Sequence, residues 1–423
     1  MLACGLGARR GLRLDDEREP RCTAVGGSSA PLTVGFAGVH RSIPEPPASA
    51  GGGGAGGPEK PGGHNWASGV AQLSSADVTV TCCYDYDAGV RDAFSAAWGE
   101  IWPGVKLHAR LDELLADPPD ILCLATAQGL HAEHIEAAAA AGVRGLVVEK
   151  PLCTSLAEAD RIFAAAERSG VRLANGTELR WDRAYTRLAA LVAGGLVGTV
   201  THVTALGVGD LINHGACDCG HLLTPLSCRA DAPALLAGCH FYDTMLMLVG
   251  DPEPVWARGT VDDVSSLPAD DWHHGDPPGH GTIGLSNGVT LTVLPEGGAR
   301  AFSVVGTEGR LEIVNEARQA YHISFEAGSS SAPSLLPGID PRFEDSEYDS
   351  SWVRGGELVK DLVDAVRGGP EARTRCDVDE MRRLTEIGFA LHESSRAGGA
   401  LVTMPLPDRE SIHVDSRRWG SDP

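Results

Sequence analysis

A chain of 423 residues is long for one domain and comfortable for two, each able to bury its own core. Its net charge of −22 leaves no general basic surface to displace counterions from a phosphate backbone, so nucleic acid is not an expected partner. No apolar run approaches the ~20 residues that span a bilayer, so no membrane partner is expected. Eleven cysteines at irregular spacing, without a secretory signal, point to reduced thiols inside the cell.

Residues 1–31 place Arg9, Arg10 and Arg13 ahead of Asp15, Asp16, Glu17 and Glu19. The acidic second half argues against an organelle presequence, so this stretch reads as a disordered leader and the compartment as the cytoplasm, with an organelle as the alternative. Leu32 to Val39 reads as a first strand running into a glycine turn. A complete G-x-G-x-x-G fingerprint allows a tight turn and close backbone approach to a pyrophosphate. Here Gly38 holds the first glycine position, while His40 holds the second and sets a side chain against the phosphate. Ser42 to Gly63 has the Gly/Pro composition of a linker, and a crossover helix begins only near Asn65, running to Leu73.

The strand Asp77–Tyr84 ends at Asp85. An acid at that point accepts both ribose hydroxyls of an adenosine and repels a 2′-phosphate, favouring NAD over NADP; equally, Asp85 or Asp87 caps the helix Ala88–Trp98. A strand at Val105–Ala109, a helix at Leu111–Leu115 and a strand at Asp120–Ala125 follow, then the turn Thr126-Ala127-Gln128 and an alanine-rich helix from His131 to Ala141, stopped by Gly142. The next strand is Leu146-Val147-Val148, cut off by Glu149-Lys150-Pro151. A β-branched run ending in an acid, a cation and a proline is a buried parallel strand emerging at a sheet edge. Ligands of open α/β sheets bind outside such ends, which puts Lys150 where chemistry happens; a solvated lysine is the plain alternative. This alternation makes residues 32–152 a Rossmann-type parallel sheet with helices on both faces.

From Thr199 the pattern changes. Thr199–Leu206, Val255–Val261, Thr282–Leu285, Val289–Leu294, Arg300–Val305 and Leu311–Val314 read as short strands, with hairpin turns at Asn287-Gly288 and Gly306–Gly309. Residues 153–407 are thus expected to form a helical connection and an α+β domain with a mostly antiparallel sheet, ending in helices Gly356–Arg367 and Val378–Ser395. Gly328–Gly338 and the acids from Asp340 to Asp349 read as a mobile loop, and the chain after Leu406, with the tail 408–423, as frayed. Between Gly238 and Gly250 the apolar residues recur at helical spacing, with His240 and Asp243 three apart on one face. Such a pair fixes an imidazole's tautomer and supports its basicity, or else His240 opens the helix and Asp243 is its surface neighbour. The stretch Asn213–His221 offers Cys217 and Cys219 as C-x-C with no second pair at zinc spacing, so no metal is expected. Excising Ala216–Gly238 joins Asn213-His214-Gly215 directly to Cys239-His240, which makes this stretch a second interruption after Ser42–Gly63.

The ordered series Thr126-Ala127-Gln128-Gly129-Leu130-His131, Glu149-Lys150-Pro151-Leu152, Arg180-Trp181-Asp182 and Gly195-Leu196-Val197-Gly198 resembles the Gfo/Idh/MocA family of NAD(P)-dependent oxidoreductases, over residues 32 to 407. That family pairs a Thr-Pro-Asn-like turn and a helix-opening histidine with a Glu-Lys-Pro strand end. The resemblance implies a bound NAD or NADP, with NAD favoured by Asp85, and contacts from Gly38, His40, Asp85, Thr126, Ala127, Gln128, His131 and Glu149. It implies Lys150 and His240 as catalytic residues, Asp243 in support of the imidazole, and Arg180 and Asn213 on the substrate side. A small-molecule substrate of the sugar or polyol kind and a homo-oligomer formed through the C-terminal sheet complete the expectation. Many members carry an acid or polar residue four positions before the helix histidine; here that position is Leu236 as written, or Asn213 with the interruption looped out. A non-catalytic nucleotide-binding or scaffold member, or an NAD-dependent glycosidase relative, is the alternative.

Overall fold

The computed structural model describes residues 30–43, 66–206, 238–263, 265, 277, 279–294, 301–314, 317–325, 332–339 and 350–414. The leader before Ala30, the first interruption from residue 44 to residue 63, the acids of 340–349, and the 207–237 stretch with Asn213, Cys217 and Cys219 lie outside these residues.

Among the described residues, six parallel strands form the first sheet: β1 (Leu32–Ala37), β2 (Val78–Tyr84), β3 (Lys106–His108), β4 (Ile121–Leu124), β5 (Gly145–Val148) and β6 (Arg172–Asn175). Their order is β3-β2-β1-β4-β5-β6, the arrangement whose strand order reverses between β1 and β4 and opens a crevice there. Every residue of β4 and β5 is buried, as expected of strands covered on both faces. The register sets Ala37 beside Leu124, Leu124 beside Val148, and Val148 beside Asn175, so Gly38, Thr126, Lys150 and Gly176 all follow along one carboxyl edge.

The helices of this half are α1 (Trp66–Ala71), α2 (Ala88–Trp98), α3 (Leu111–Leu115), α4 (His131–Ala141), α5 (Leu156–Ser169) and α6 (Arg183–Ala193). Local chemistry sets their ends. Asp87 accepts from the Gly89 and Val90 amides to open α2, Ser155 and Glu158 form a capping box on α5, and Gly142 ends α4 at φ 97°. The 3-10 turn Glu178–Trp181 links β6 to α6 and is buried throughout.

Among the described residues the second sheet has nine strands where the sequence suggests six. It runs β14-β13-β12-β11-β7-β10-β9-β8-β15 and is antiparallel except where β10 pairs with β7. Its members are β7 (Val200–Leu206), β8 (Pro254–Val261), β9 (Gly279–Leu285), β10 (Thr290–Val293), β11 (Ala301–Gly306), β12 (Gly309–Val314), β13 (Gln319–Ser324), β14 (Ser334–Leu335) and β15 (Val402–Thr403). The three additional strands are β13, β14 and β15. Two-residue strands carry no periodicity and exist only through their partners, as when Val402 and Thr403 pair with Ala257 and Trp256. The expected loop at Gly328–Gly338 therefore includes β14.

Helix α7 (Cys239–Leu248) packs against β7, α6 and the Glu178–Trp181 turn, and α8 (Ser350–Arg367) and α9 (Val378–Arg396) are the last helices among the described residues. Helix α8 returns to the first sheet, where a Cβ on Gly145 would come within 2.9 Å of Val366 Cγ2. It also meets α1 backbone to backbone, since a Cβ on Gly69 would lie 2.8 Å from the Gly355 carbonyl carbon. Fraying after Leu406 is not observed up to Val414. The Val414 amide donates to Thr154 O at 2.8 Å, the Leu156 amide donates to Ile412 O at 3.2 Å, and Arg409 is held by Asp160 and Glu386. A strap that takes its hydrogen bonds from a distant helix start leaves no local mark in the sequence. Among the described residues, no helix is long and apolar enough to cross a membrane.

Candidate functional site

The carboxyl edge of the first sheet is held by side chains that grip backbone. His131, fully buried at the start of α4, sits between Leu152 O at its Nδ1 and Thr126 O at its Nε2, each at 3.0 Å. It thereby ties the turn after β4 to the turn after Lys150. Burial pushes this imidazole down to about 4, so it is neutral and can donate to only one of the two carbonyls at a time. One turn along, His134 Nδ1 lies 3.0 Å from Thr126 Oγ1, and burial lowers it to about 4 as well. His131 was expected to meet the cofactor; both its nitrogens face protein carbonyls, so it shapes the turn that carries Thr126, Ala127 and Gln128. Among the described residues, the side-chain oxygen of Gln128 is buried without a hydrogen-bond partner, and so are Asn175 Oδ1 at the end of β6 and the Trp66 indole N–H at the start of α1.

Glu149 is buried, its Oε2 accepting from the Lys150 amide at 3.1 Å. A Cβ added to Gly176 would come within 3.3 Å of both that oxygen and the Trp66 ring, so Trp66, Glu149 and Gly176 converge. Lys150 is half-buried. Among the described residues its ammonium makes no hydrogen bond or ion pair, so it differs from lysines such as Lys106 and Lys360, which pair with Asp117 and Asp364. It lies within electrostatic reach of the Cys239 thiol, the first residue of α7, together with Asp243, Glu178 and Glu149. Burial pushes that thiol up to about 12, which keeps it protonated. The strand end and the start of the His240 helix are thus within electrostatic reach of each other.

At the β1–β2 end of the edge the polar groups are spent on one another. Gly38 has φ +81°, and a Cβ there would lie 2.5 Å from Ala125 O, so glycine is required by the approach of β1 to β4 as well as by the turn. His40 lies in a short 3-10 turn (His40–Ser42), not in the opening of a long helix. The Trp98 indole N–H donates to Ser42 O at 2.6 Å and anchors that turn from α2. Asp85 is buried and accepts from the Val39 amide at 3.0 Å and the Asp87 amide at 3.1 Å. Burial raises its carboxyl above the ordinary range against the pull of those amides. Of the two acids, Asp87 is therefore the cap of α2, and Asp85 holds the glycine turn.

Two expectations about side chains are corrected by the geometry of α7. Asp243 was expected to support the His240 imidazole. It is completely buried and paired instead with Arg180 Nε, and burial pushes its carboxyl up to about 6 against the guanidinium's pull. Arg180 was expected on the substrate side. It is buried on the 3-10 turn, with its remaining nitrogens on Asp251 at 2.9 and 2.5 Å and on Arg375 O at 3.4 Å. A guanidinium shared by two carboxylates stays charged and acts as a staple. It fixes α7 at its middle, through Asp243, and beyond its end, through Asp251, where the backbone turns to φ 55°. Residues three apart on a helix point some 60° apart, enough to send one side chain to Arg180 and the other elsewhere. The acid beside His240 is Glu178, whose Oε2 lies 3.7 Å from Nδ1, with both residues buried. The sequence reading missed Glu178 and Asn175. The rule that pointed to Lys150 applies equally to the end of the following strand, where both stand.

The fold and this edge define a two-sheet protein with a Rossmann unit whose strand ends face a helix from the second half. Residues 61–177 match the family model described as oxidoreductase family, NAD-binding Rossmann fold, of the Gfo/Idh/MocA type. Residues 61–177 thus resemble the nucleotide-binding segment of that family; the match begins after β1 and the glycine turn. The putative UDP-kanosamine synthase oxidoreductase subunit of Amycolatopsis mediterranei is 31% identical over 175 residues, 41% of this chain and 46% of that protein. The chain thus spans less than half the length of the curated relatives it matches. Solved structures agree in fold across both halves. An NAD binding oxidoreductase from Klebsiella pneumoniae superposes with TM-score 0.66 at 18% identity, covering 88% of this chain and 99% of that one. The WlbA dehydrogenase from Bordetella pertussis, in complex with NADH and UDP-GlcNAcA, gives 0.62 at 18% identity, covering 90% and 100%.

Proposed function

We propose that this protein is an NAD(P)-dependent oxidoreductase that interconverts a secondary alcohol and a carbonyl on a sugar, a polyol or a related small molecule. The observation that carries the proposal is Lys150, an ammonium without an ion-pair partner among the described residues, at a sheet's carboxyl edge and beside the start of the His240 helix. The Gfo/Idh/MocA segment and the sugar-nucleotide names among its relatives support the same reading.

The edge fits a dinucleotide at one end better than at the other. The buried orphan atoms of Gln128, Asn175 and Trp66 are the kind of groups that a nicotinamide carboxamide and its ribose satisfy. Thr126, Ala127, Gln128 and Glu149 would hold that end, and the turn of Gly38 and His40, steadied by Asp85, would hold the phosphates and adenosine ribose. An acid at Asp85 favours NAD over NADP. Bound nicotinamide supplies the hydride acceptor or donor. Lys150 donates a charge-assisted hydrogen bond to the reacting oxygen, which stabilises alkoxide character as it develops. His240 takes the hydroxyl proton in the oxidative direction and returns it in the reductive one, work typically worth about 10²–10⁴-fold.

The test is a panel of sugars and polyols with NAD⁺ and with NADP⁺, following nicotinamide absorbance for wild type and Lys150→Ala. Saturable turnover in wild type, faster with NAD⁺ and collapsing in the variant, is the expected result. Lys150→Ala at the wild-type rate overturns the assignment of Lys150; failure to bind nicotinamide nucleotide in either redox form overturns the enzyme reading altogether.

A further inference from the structure

We propose that Glu178 is the positioning residue of the His240 imidazole, in the place that the i, i+3 spacing on the helix gives to Asp243. This rests on the reading of His240 as the proton carrier given above. The 3-10 turn Glu178–Trp181 and α7 are joined by two side-chain pairings that run in parallel, Arg180 with Asp243 and Glu178 with His240. The first is closed on the arginine side. Asp243 Oδ1 accepts from Arg180 Nε, and Arg180 is filled by Asp243, Asp251 and the Arg375 carbonyl. Asp243 therefore has its charge already balanced and is turned toward the turn's arginine.

The second pairing is a buried carboxylate facing one specific nitrogen, with Glu178 Oε2 3.7 Å from His240 Nδ1. An acid there retains a proton on Nδ1, which makes Nε2 the nitrogen whose lone pair accepts the substrate's proton. When Nε2 takes that proton, the cation formed is balanced at once by Glu178, with no net charge left uncompensated in a buried site. The Arg180 staple supplies the rigidity: with Asp243 and Asp251 bound to the same turn, α7 cannot slide without breaking buried ion pairs, so the distance from Glu178 to His240 is set by the backbone. The other charged groups near the start of α7 are Lys150 and Glu149 from the β5 edge, and Asp243 on α7 itself. Of these, Lys150 is a cation, Glu149 is an anion, and Asp243 is paired with Arg180. Glu178 is the acid within ion-pair distance of the ring among the described residues.

The experiment follows the imidazole directly and the reaction in parallel. In the full-length protein, the His240 ring signal is assigned by its loss in His240→Asn and titrated by NMR in wild type, Glu178→Gln, Glu178→Asp and Asp243→Asn. Glu178→Gln is expected to move the titration midpoint about one pH unit lower, the effect of removing an opposite charge at this range, and to move the acidic limb of kcat/KM with it. It should lower kcat about 10- to 100-fold, the usual cost of losing an orienting partner, with nicotinamide-nucleotide binding unchanged, and Glu178→Asp should recover part of both. Asp243→Asn is expected to lower the melting temperature and to leave the midpoint of its folded fraction in place. A Glu178→Gln midpoint equal to wild type, or an Asp243→Asn midpoint that moves while Glu178→Gln does not, overturns the proposal. Because the ring titration needs no turnover, a moved midpoint in a protein that oxidises none of the panel would retire the dehydrogenase reading while keeping the Glu178–His240 pairing.

Discussion

The two ends of the first sheet's carboxyl edge solve opposite problems. Along β4, β5 and β6, side chains are used to hold backbone, as His131 holds Leu152 O and Thr126 O, so that Gln128, Asn175 and Lys150 are left with unspent hydrogen-bonding capacity among the described residues. Along β1 and β2 the polar groups satisfy each other, with Asp85 on Val39 and Asp87, and Trp98 on Ser42. A buried polar atom without a partner costs free energy on folding, about 1–3 kcal/mol each. Keeping several in one corner is a cost that a ligand can offset, whereas the self-satisfied corner is stable as it stands. On the proposed function, the difference puts the chemistry at the Lys150 end and leaves the Gly38 end as support.

The sharpest way to break this contrast is Lys150→Ala. If the open end carries the reaction, kcat falls about 100- to 1,000-fold, the cost of losing a charged donor at a developing alkoxide, while the urea midpoint stays put; steady-state kinetics beside a denaturation curve read both. Acid separates the two ends next. His131 and His134 are lowered to about 4 in the fold from an ordinary 6.5, so the unfolded chain binds protons that the native one refuses. Stability is complete above pH 6.5 and is lost as pH falls toward 4, by on the order of 3 kcal/mol for His131. Asp85, raised by burial, has the opposite sign: its contribution is present at low pH and is lost as pH rises through its folded value. Hydrogen exchange between pH 7 and 4.5 should therefore show β4 and β5 loosening ahead of β1, and a reversed order would refute the contrast.

Gly38→Ala tests the supporting end from the other side. It demands a positive φ of an L-residue and sets a Cβ against Ala125 O, for an expected loss of about 2 kcal/mol, measured as a lower denaturation midpoint. The smallest effect separates the neighbouring acids. Asp87→Ala should cost about 1 kcal/mol as a lost helix cap and leave nucleotide affinity unchanged, whereas Asp85→Asn should weaken the Val39 contact and, with it, nucleotide binding by isothermal titration.

Residues in chain order are enough to find the alternating strands and helices of the first half, the Asn287-Gly288 hairpin and Lys150 at its strand end, because each is written in local periodicity, turn chemistry or an abrupt change of polarity. The strand β13 was not legible, nor were the two-residue edge strands β14 and β15, which exist through their pairing partners, and neither was the strap in which Val414 docks on Thr154. Side-chain partnership was the least legible of all. The spacing of His240 and Asp243 on one helix suggested a pair, yet Arg180 takes Asp243 and Glu178 faces His240, because a 3-10 turn at the end of β6 is brought against α7 by the packing of the two halves. Sequence by itself determined which residues could carry chemistry, since strand ends and helix starts are set by short-range preferences. Which acid meets which base was decided only in the tertiary structure, where burial leaves each charge a single place to be neutralised.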